Sequence, residues 1–121
     1  MLTPIPELIR SISPNVRTLS AEQALAEAAE HPNSLVIDVR EPGEVAERPI
    51  KGSINIPRGV LEMKLSTQYN DPQLPIYLHC ATGARATLSA EQLQRIGYRN
   101  VTVIGCPIDT LEGVCNRENC A

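Results

Sequence analysis

Cys80 follows an apolar run, Ile76-Tyr77-Leu78, and then His79; after it come Ala81-Thr82-Gly83-Ala84 and Arg85. These types and this spacing define the chemistry open to the chain. A tight loop of small residues can turn several backbone N–H groups toward one centre. A helix beginning just beyond it adds positive potential at its N-terminus. A cysteine sulfur in that cradle is favoured as the thiolate. Attack of such a thiolate on a sulfur donor would leave a persulfide, whose outer sulfur would lie among the same N–H donors. A second nucleophile would then remove that sulfur, which is covalent catalysis in two half-reactions. Gly83 permits a backbone conformation that a side chain would oppose. Ala81 and Ala84 keep the mouth open, and Thr82 offers a hydroxyl. Arg85 either reaches over the loop or packs its guanidinium back onto the structure.

His79-Cys80 with Arg85 also resembles the His-Cys-x5-Arg signature of cysteine phosphatases. The count separates the two readings. Four residues lie between Cys80 and Arg85, not five, and residue 86 is Ala, so shifting the register recovers no arginine. A phosphate needs a wider ring of donors and a converging arginine for its oxygens. The shorter loop suits a single sulfur, and phosphatase or arsenate-reductase chemistry stands as the lesser alternative.

Other side chains are candidates around this loop. Asp38 and Arg40 close a second apolar run, Leu35-Val36-Ile37, at the same sheet edge. They either contact substrate and tune its electrostatics, or anchor the loop and pair with Glu41 or Glu44. The structural role is expected, because edge charges usually solvate or pair. His79 is expected to be a hydrogen-bonded structural histidine rather than a base. Arg48 and Arg58 are candidates to attract an anionic donor such as thiosulfate. Cys106 follows a strand that should end at the same edge as Cys80. It is either a buried turn cysteine or a second thiol that takes sulfur from Cys80 or forms a disulfide with it. Cys115 and Cys120 read as tail thiols. No Cys-x-x-Cys pair occurs and no His lies near them, so no metal site is expected.

Composition narrows the remaining classes. The chain has 121 residues, fitting one compact domain over 1–121, with a core at about 16–114 and a polar tail at 115–121. It has no Phe and no Trp, and its aromatics are Tyr69, Tyr77 and Tyr98, which argues against a stacking surface for nucleic acid. A net charge of −3 argues against a broad phosphate-binding patch. No stretch approaches the ~20 apolar residues of a membrane span, and Met1 to Arg10 has no signal-peptide pattern. The expected location is the cytoplasm, where cysteines stay as thiols.

The elements that must position Cys80 follow from the patterning. Thr3 to Ser13 predicts a short helix, and Val16 to Leu19 a short strand. Ser20 with Gln23 three residues on has capping-box spacing and opens a helix through Glu30. Leu35 to Ile37 and Ile76 to Leu78 are continuous apolar runs, as in parallel strands buried on both faces. Pro42-Gly43 opens a short helix, Gly52 to Ile56 is a short strand, Arg58 to Leu65 a helix, and Ser66 to Pro75 a loop. Ala84 to Ile96 is a helix with Gly97 capping it. Val101 to Ile104 is the last strand, and a final helix runs from Ile108 to about Val114. Strands alternating with helices make the fold α/β with a mainly parallel sheet.

Leu35-Val36-Ile37-Asp38-Val39-Arg40-Glu41-Pro42 and Gly52-Ser53-Ile54-Asn55-Ile56-Pro57 resemble the two sequence signatures of the rhodanese family. Cys80 to Arg85 resembles its active-site loop. The resemblance runs from about Val16 to Val114. It implies a five-stranded parallel sheet flanked by helices, and a sulfurtransferase in which Cys80 carries sulfane sulfur and Ala81 to Arg85 cradle it. It implies a small donor, thiosulfate or a low-molecular-weight persulfide, and an acceptor that is cyanide, a thiol or a partner protein, with no metal or organic cofactor. A regulatory module of the same fold without turnover is the alternative. The chain departs from the family at two places. Arg48-Pro49 stand where Gly-His is common, and Gly105 is followed by Cys106 rather than by a second glycine and a Trp.

Overall fold

The computed structural model describes residues 1–118, with side chains as far as Asn116. Five strands form one sheet: β1 (Arg17–Leu19), β2 (Leu35–Asp38), β3 (Ile54–Asn55), β4 (Ile76–His79) and β5 (Val101–Ile104). Their order is β1-β5-β4-β2-β3, and every pairing is parallel. Six helices connect or flank them: α1 (Ile5–Ile12), α2 (Ala21–Ala29), α3 (Pro42–Glu47), α4 (Leu61–Gln68), α5 (Ala84–Arg95) and α6 (Ile108–Glu118). Cys80 thus leaves the central strand at its carboxyl end, where open α/β sheets build their sites.

The two faces of the sheet bury different residues, as strand alternation requires. Ile37, Ile76, Leu78, Val101 and Val103 pack with Leu61 and Leu65 of α4 and with Ala86, Ala90 and Leu93 of α5. Ile12 of α1 joins that cluster. Tyr77 and Ile104 face the other way, onto Ala21 and Ala24 of α2 and Leu111 and Val114 of α6. Each fully buried aliphatic side chain contributes roughly 1.5–3 kcal/mol of transfer free energy.

Local signals set the helix ends. Ser20 Oγ accepts from Gln23 N at 3.2 Å, and Gln23 Oε1 accepts from Ser20 N at 3.2 Å, so both arms of the capping box form. After α5, Gly97 takes φ +116°, Gly97 N donates to Gln94 O and Tyr98 N donates to Leu93 O, a Schellman ending.

Three expected boundaries shift. α4 runs on to Gln68, because Ser66 Oγ and Thr67 Oγ1 donate back to Glu62 O (2.6 Å) and Met63 O (2.8 Å) and so remain inside the helix. The core starts before residue 16, at Ile12. α6 continues past Val114 to Glu118. Cys115 is 1% exposed against Leu111 and Val114, so it is a core residue and not a tail thiol. Its placement follows from i, i+3, i+4 spacing on one helical face. Cys120 lies outside the described residues.

Candidate active site

Gly83 is the pivot of the loop. It sits at the N-cap of α5 with φ +104°, in the left-handed region that only glycine enters at little cost. Thr87 locks it there: Thr87 N and Oγ1 both donate to Gly83 O, at 2.9 and 2.8 Å. At the loop's other end, Ile108 N donates to Ala81 O at 3.0 Å, tying the loop to the start of α6. Between these anchors Cys80 Sγ accepts from Gly83 N at 3.1 Å and from Ala86 N at 3.4 Å. The sulfur belongs to the α5-side core, and Cys80 is 1% exposed. Thr82 is exposed; Ala81, Gly83, Ala84 and Arg85 are partly exposed around it.

Arg85 packs back rather than reaching over the loop. Its Nη1 and Nη2 donate to the two carboxylate oxygens of Glu44 on α3, at 2.7 and 3.0 Å. Those hydrogen bonds hold the Glu44 carboxyl below its ordinary range. The guanidinium therefore braces the helix start against α3.

Asp38 and Arg40 pair with each other, not with the Glu41 or Glu44 carboxylate and not with the loop mouth. Arg40 Nη2 donates to Asp38 Oδ2 at 2.7 Å, and Arg40 Nε and N both donate to Asp38 Oδ1 at 3.0 Å. Arg40 Nη2 also reaches Arg48 O at 2.7 Å, and Asn55 Nδ2 donates to the carbonyls of both Asp38 and Arg40 at 2.9 Å. Both side chains are buried, and their polar groups are taken up by each other and by backbone carbonyls, as an anchoring pair requires. The pair folds the β2–α3 turn onto the edge of β3.

His79 is sealed beneath this pair. Its Nε2 lies 2.7 Å from Ser53 Oγ, while Nδ1 has no hydrogen-bond partner and sits 3.9 Å from Asp38 Oδ2. Burial pushes its pKa down to about 4, with Asp38 opposing and Arg40 assisting. The ring is neutral at pH 7, which suits a structural side chain. Unfolded chains bind the His79 proton near pH 6.5 and folded ones only near pH 4. Stability from this group is therefore fully present above pH 6.5 and is lost as pH falls toward 4, on the order of 3 kcal/mol in all. Urea unfolding of wild type and His79→Gln across pH 4–7 should show the variant lacking that part of the slope; parallel slopes would refute it.

The remaining candidates separate. Arg48 is taken up by Asp109 and Glu112 of α6, with Glu112 at 3.0 and 3.2 Å, and so links the β3 approach to α6. Arg58 begins the 3₁₀ turn after Pro57, and its N donates to Val39 O at 3.1 Å. Cys106 Sγ accepts from Ala21 N at 3.0 Å and packs on the α2/α6 side of the sheet. It shares the carboxyl edge with Cys80 but faces the opposite layer.

Sequence reasoning missed three contributors: Ala86 N, Thr87 and the Glu44 partner of Arg85. The first two had a signal. With Gly83 as N-cap, Ala86 is the third helical residue, whose N–H has no intrahelical acceptor. Thr87 stands four residues after Gly83, the spacing for back-bonding to a carbonyl. Glu44 lies on another helix, and no spacing points to it. Among the described residues, no group of His, Cys, Asp and Glu is arranged to hold a metal ion, and no helix is long and apolar enough to cross a membrane. A groove of about 400 Å³ lies between α4 and the far end of α5, lined by Met63, Pro72, Ile96 and Tyr98, away from Cys80.

A model of the rhodanese-like domain family matches residues 20–105. Thiosulfate sulfurtransferase PspE of Escherichia coli (strain K12) is 31% identical over 78 residues, which are 64% of this chain and 71% of that protein. A mitochondrial protein of Schizosaccharomyces pombe (strain 972), provisionally named a thiosulfate sulfurtransferase, is 32% identical over 80 residues; the match covers 57% of this chain and about half of that protein, 56%. The solution structure of the polysulfide-sulfur transferase homodimer from Wolinella succinogenes superposes with a TM-score of 0.75 at 25% identity, covering 93% of this chain and 81% of that one.

Proposed function

The chain belongs to the rhodanese-like domain family, and from that premise we propose that it is a sulfurtransferase whose carrier atom is the Sγ of Cys80. One observation carries the reading. Two backbone N–H groups at the start of a twelve-residue helix converge on that sulfur, from Gly83 and Ala86. Such preorganised donors stabilise negative charge without reorganising during the reaction.

The steps balance without a further oxidant. The Cys80 thiolate attacks the outer sulfur of thiosulfate; a new S–S bond forms as the old one breaks, and sulfite leaves with the electron pair. Cyanide or a thiolate then attacks the outer sulfur of the persulfide. The bond to Cys80 breaks and the thiolate returns, with thiocyanate or a new persulfide as product. The N–H groups of Gly83 and Ala86, with the Ala81 to Arg85 loop that presents them, hold the sulfur in both halves. Phosphate chemistry is disfavoured because Arg85, the arginine a phosphate would need, is engaged by Glu44. A purely regulatory module is disfavoured because the nucleophile and its donors are both in place.

Intact mass spectrometry after thiosulfate or persulfide treatment tests the proposal. Cys80 should gain one sulfur atom, and cyanide should remove it as thiocyanate. Turnover of p-nitrophenyl phosphate with no sulfur gain from any donor would overturn it.

A further inference from the structure

Four arginines lie in the segments that follow the carboxyl ends of β2, β3 and β4, and three are neutralised. Arg40 is paired with Asp38, Arg85 with Glu44, and Arg48 with Asp109 and Glu112. Arg58 alone has neither an ion pair nor a side-chain hydrogen bond among the described residues. Its Nε is enclosed without a partner, while the residue as a whole is only partly buried. Leaving a buried donor unsatisfied costs about 1–3 kcal/mol. A solvated surface arginine would not bear that cost, so the stem is held against the protein while the charged end stays available.

The backbone places Arg58 beside the strand that carries Cys80. Val39 N donates to His79 O at 3.0 Å, and Arg58 N donates to Val39 O at 3.1 Å. Arg58 is thus joined through one residue to the peptide that precedes Cys80. The turn Arg58–Val60 also packs on α5, whose first residues supply the donors to Sγ. Val60 lies against the same core as the Cys80 side chain.

We propose that Arg58 is the specificity-determining residue of the Cys80 site, recognising the oxyanion group of a small anionic sulfur donor. This inference rests on the sulfur-transfer reading and deepens it. Guanidinium matches oxyanions through several N–H groups in one plane. With the other three charges internally balanced, anion recognition falls to this side chain. The enclosed Nε limits its motion, so little side-chain entropy remains to be lost when a donor binds.

The test uses thiosulfate as the probe in two readouts. In steady state, Arg58→Gln should raise the thiosulfate KM roughly tenfold or more, with the larger part of the loss in KM rather than kcat. Arg58→Glu should raise it further, and Arg58→Lys should recover part of it. Separately, Cys80→Ser binds but cannot react; thiosulfate titration should shift the Arg58 Nε–H resonance in that protein, and Arg58→Gln added to it should weaken binding by a similar factor. Equal KM and equal binding in Arg58→Gln and Arg58→Glu would overturn the assignment. If wild type never gains sulfur while Cys80→Ser still binds thiosulfate through Arg58, the recognition role stands and the sulfur-transfer reading falls.

Discussion

Cys80→Ser is expected to lower thiosulfate-to-cyanide sulfur transfer by about 10³-fold or more and to abolish the gain of sulfur. The size follows from the chemistry. A serine hydroxyl is almost wholly protonated at neutral pH and is a poor nucleophile toward sulfur, so the first half-reaction has no substitute. The cradle survives the change. Serine is close in shape to cysteine, and its oxygen can accept from the Gly83 and Ala86 N–H groups that now point at Sγ. The variant should keep its unfolding free energy within about 1 kcal/mol of wild type while losing activity, which separates loss of chemistry from loss of fold. Rates and denaturation curves on the same preparations check this. Retained turnover with a persulfide detected on Cys106 or Cys115 would move the carrier to another thiol.

Arg40→Met should destabilise the fold by about 3–5 kcal/mol, because it strands a carboxylate that is 1% exposed. Against a total stability of about 5–15 kcal/mol, that is a large fraction. Arg40 also holds Arg48 O and lies in the turn clamped by Asn55. The companion double variant, Asp38→Leu with Arg40→Met, removes the stranded charge and should recover much of the loss, since apolar replacements of buried pairs are often tolerated. Urea midpoints for the two singles and the double give the coupling. A single-variant loss below about 1 kcal/mol would mean that water reaches Asp38 and the pair is not sealed.

The parts legible in the sequence were those set by local rules. The apolar runs Leu35 to Ile37 and Ile76 to Leu78 marked β2 and β4; β4 is buried throughout, and β2 over Ile37 and Asp38. The α2 start was written in Ser20 and Gln23, and the α5 end in Gly97. The loop from Cys80 to Arg85 was legible because it is contiguous, whereas the second N–H that meets Sγ belongs to Ala86, one residue beyond it. What escaped was non-local. Which acid would meet Arg85, Arg48 or Arg40 depends on how α3 and α6 dock, and charges of opposite sign are plentiful along the chain. Cys115 was misread because polar neighbours, Asn116 and Arg117, suggested a tail, while its own spacing from Leu111 and Val114 was helical. Cys106 was placed at the right edge, but its layer was decided by the strand exit and the Ala21 N–H it meets.

The pairing of β1 with β5 also bears on how the chain reaches this state. Arg17 and Thr102, joined by a 2.9 Å side-chain hydrogen bond, stand 85 positions apart. Every ladder is parallel, so no hairpin can seed the sheet. Such long loops must close before their contacts repay the lost entropy, which favours folding on roughly the millisecond scale or slower over the microseconds of helical bundles. During synthesis β1 emerges first among the strands and cannot pair until β5 is complete. The Cys80 loop, held between β4 and the start of α6, is therefore assembled only near the end of the chain's journey to its native state.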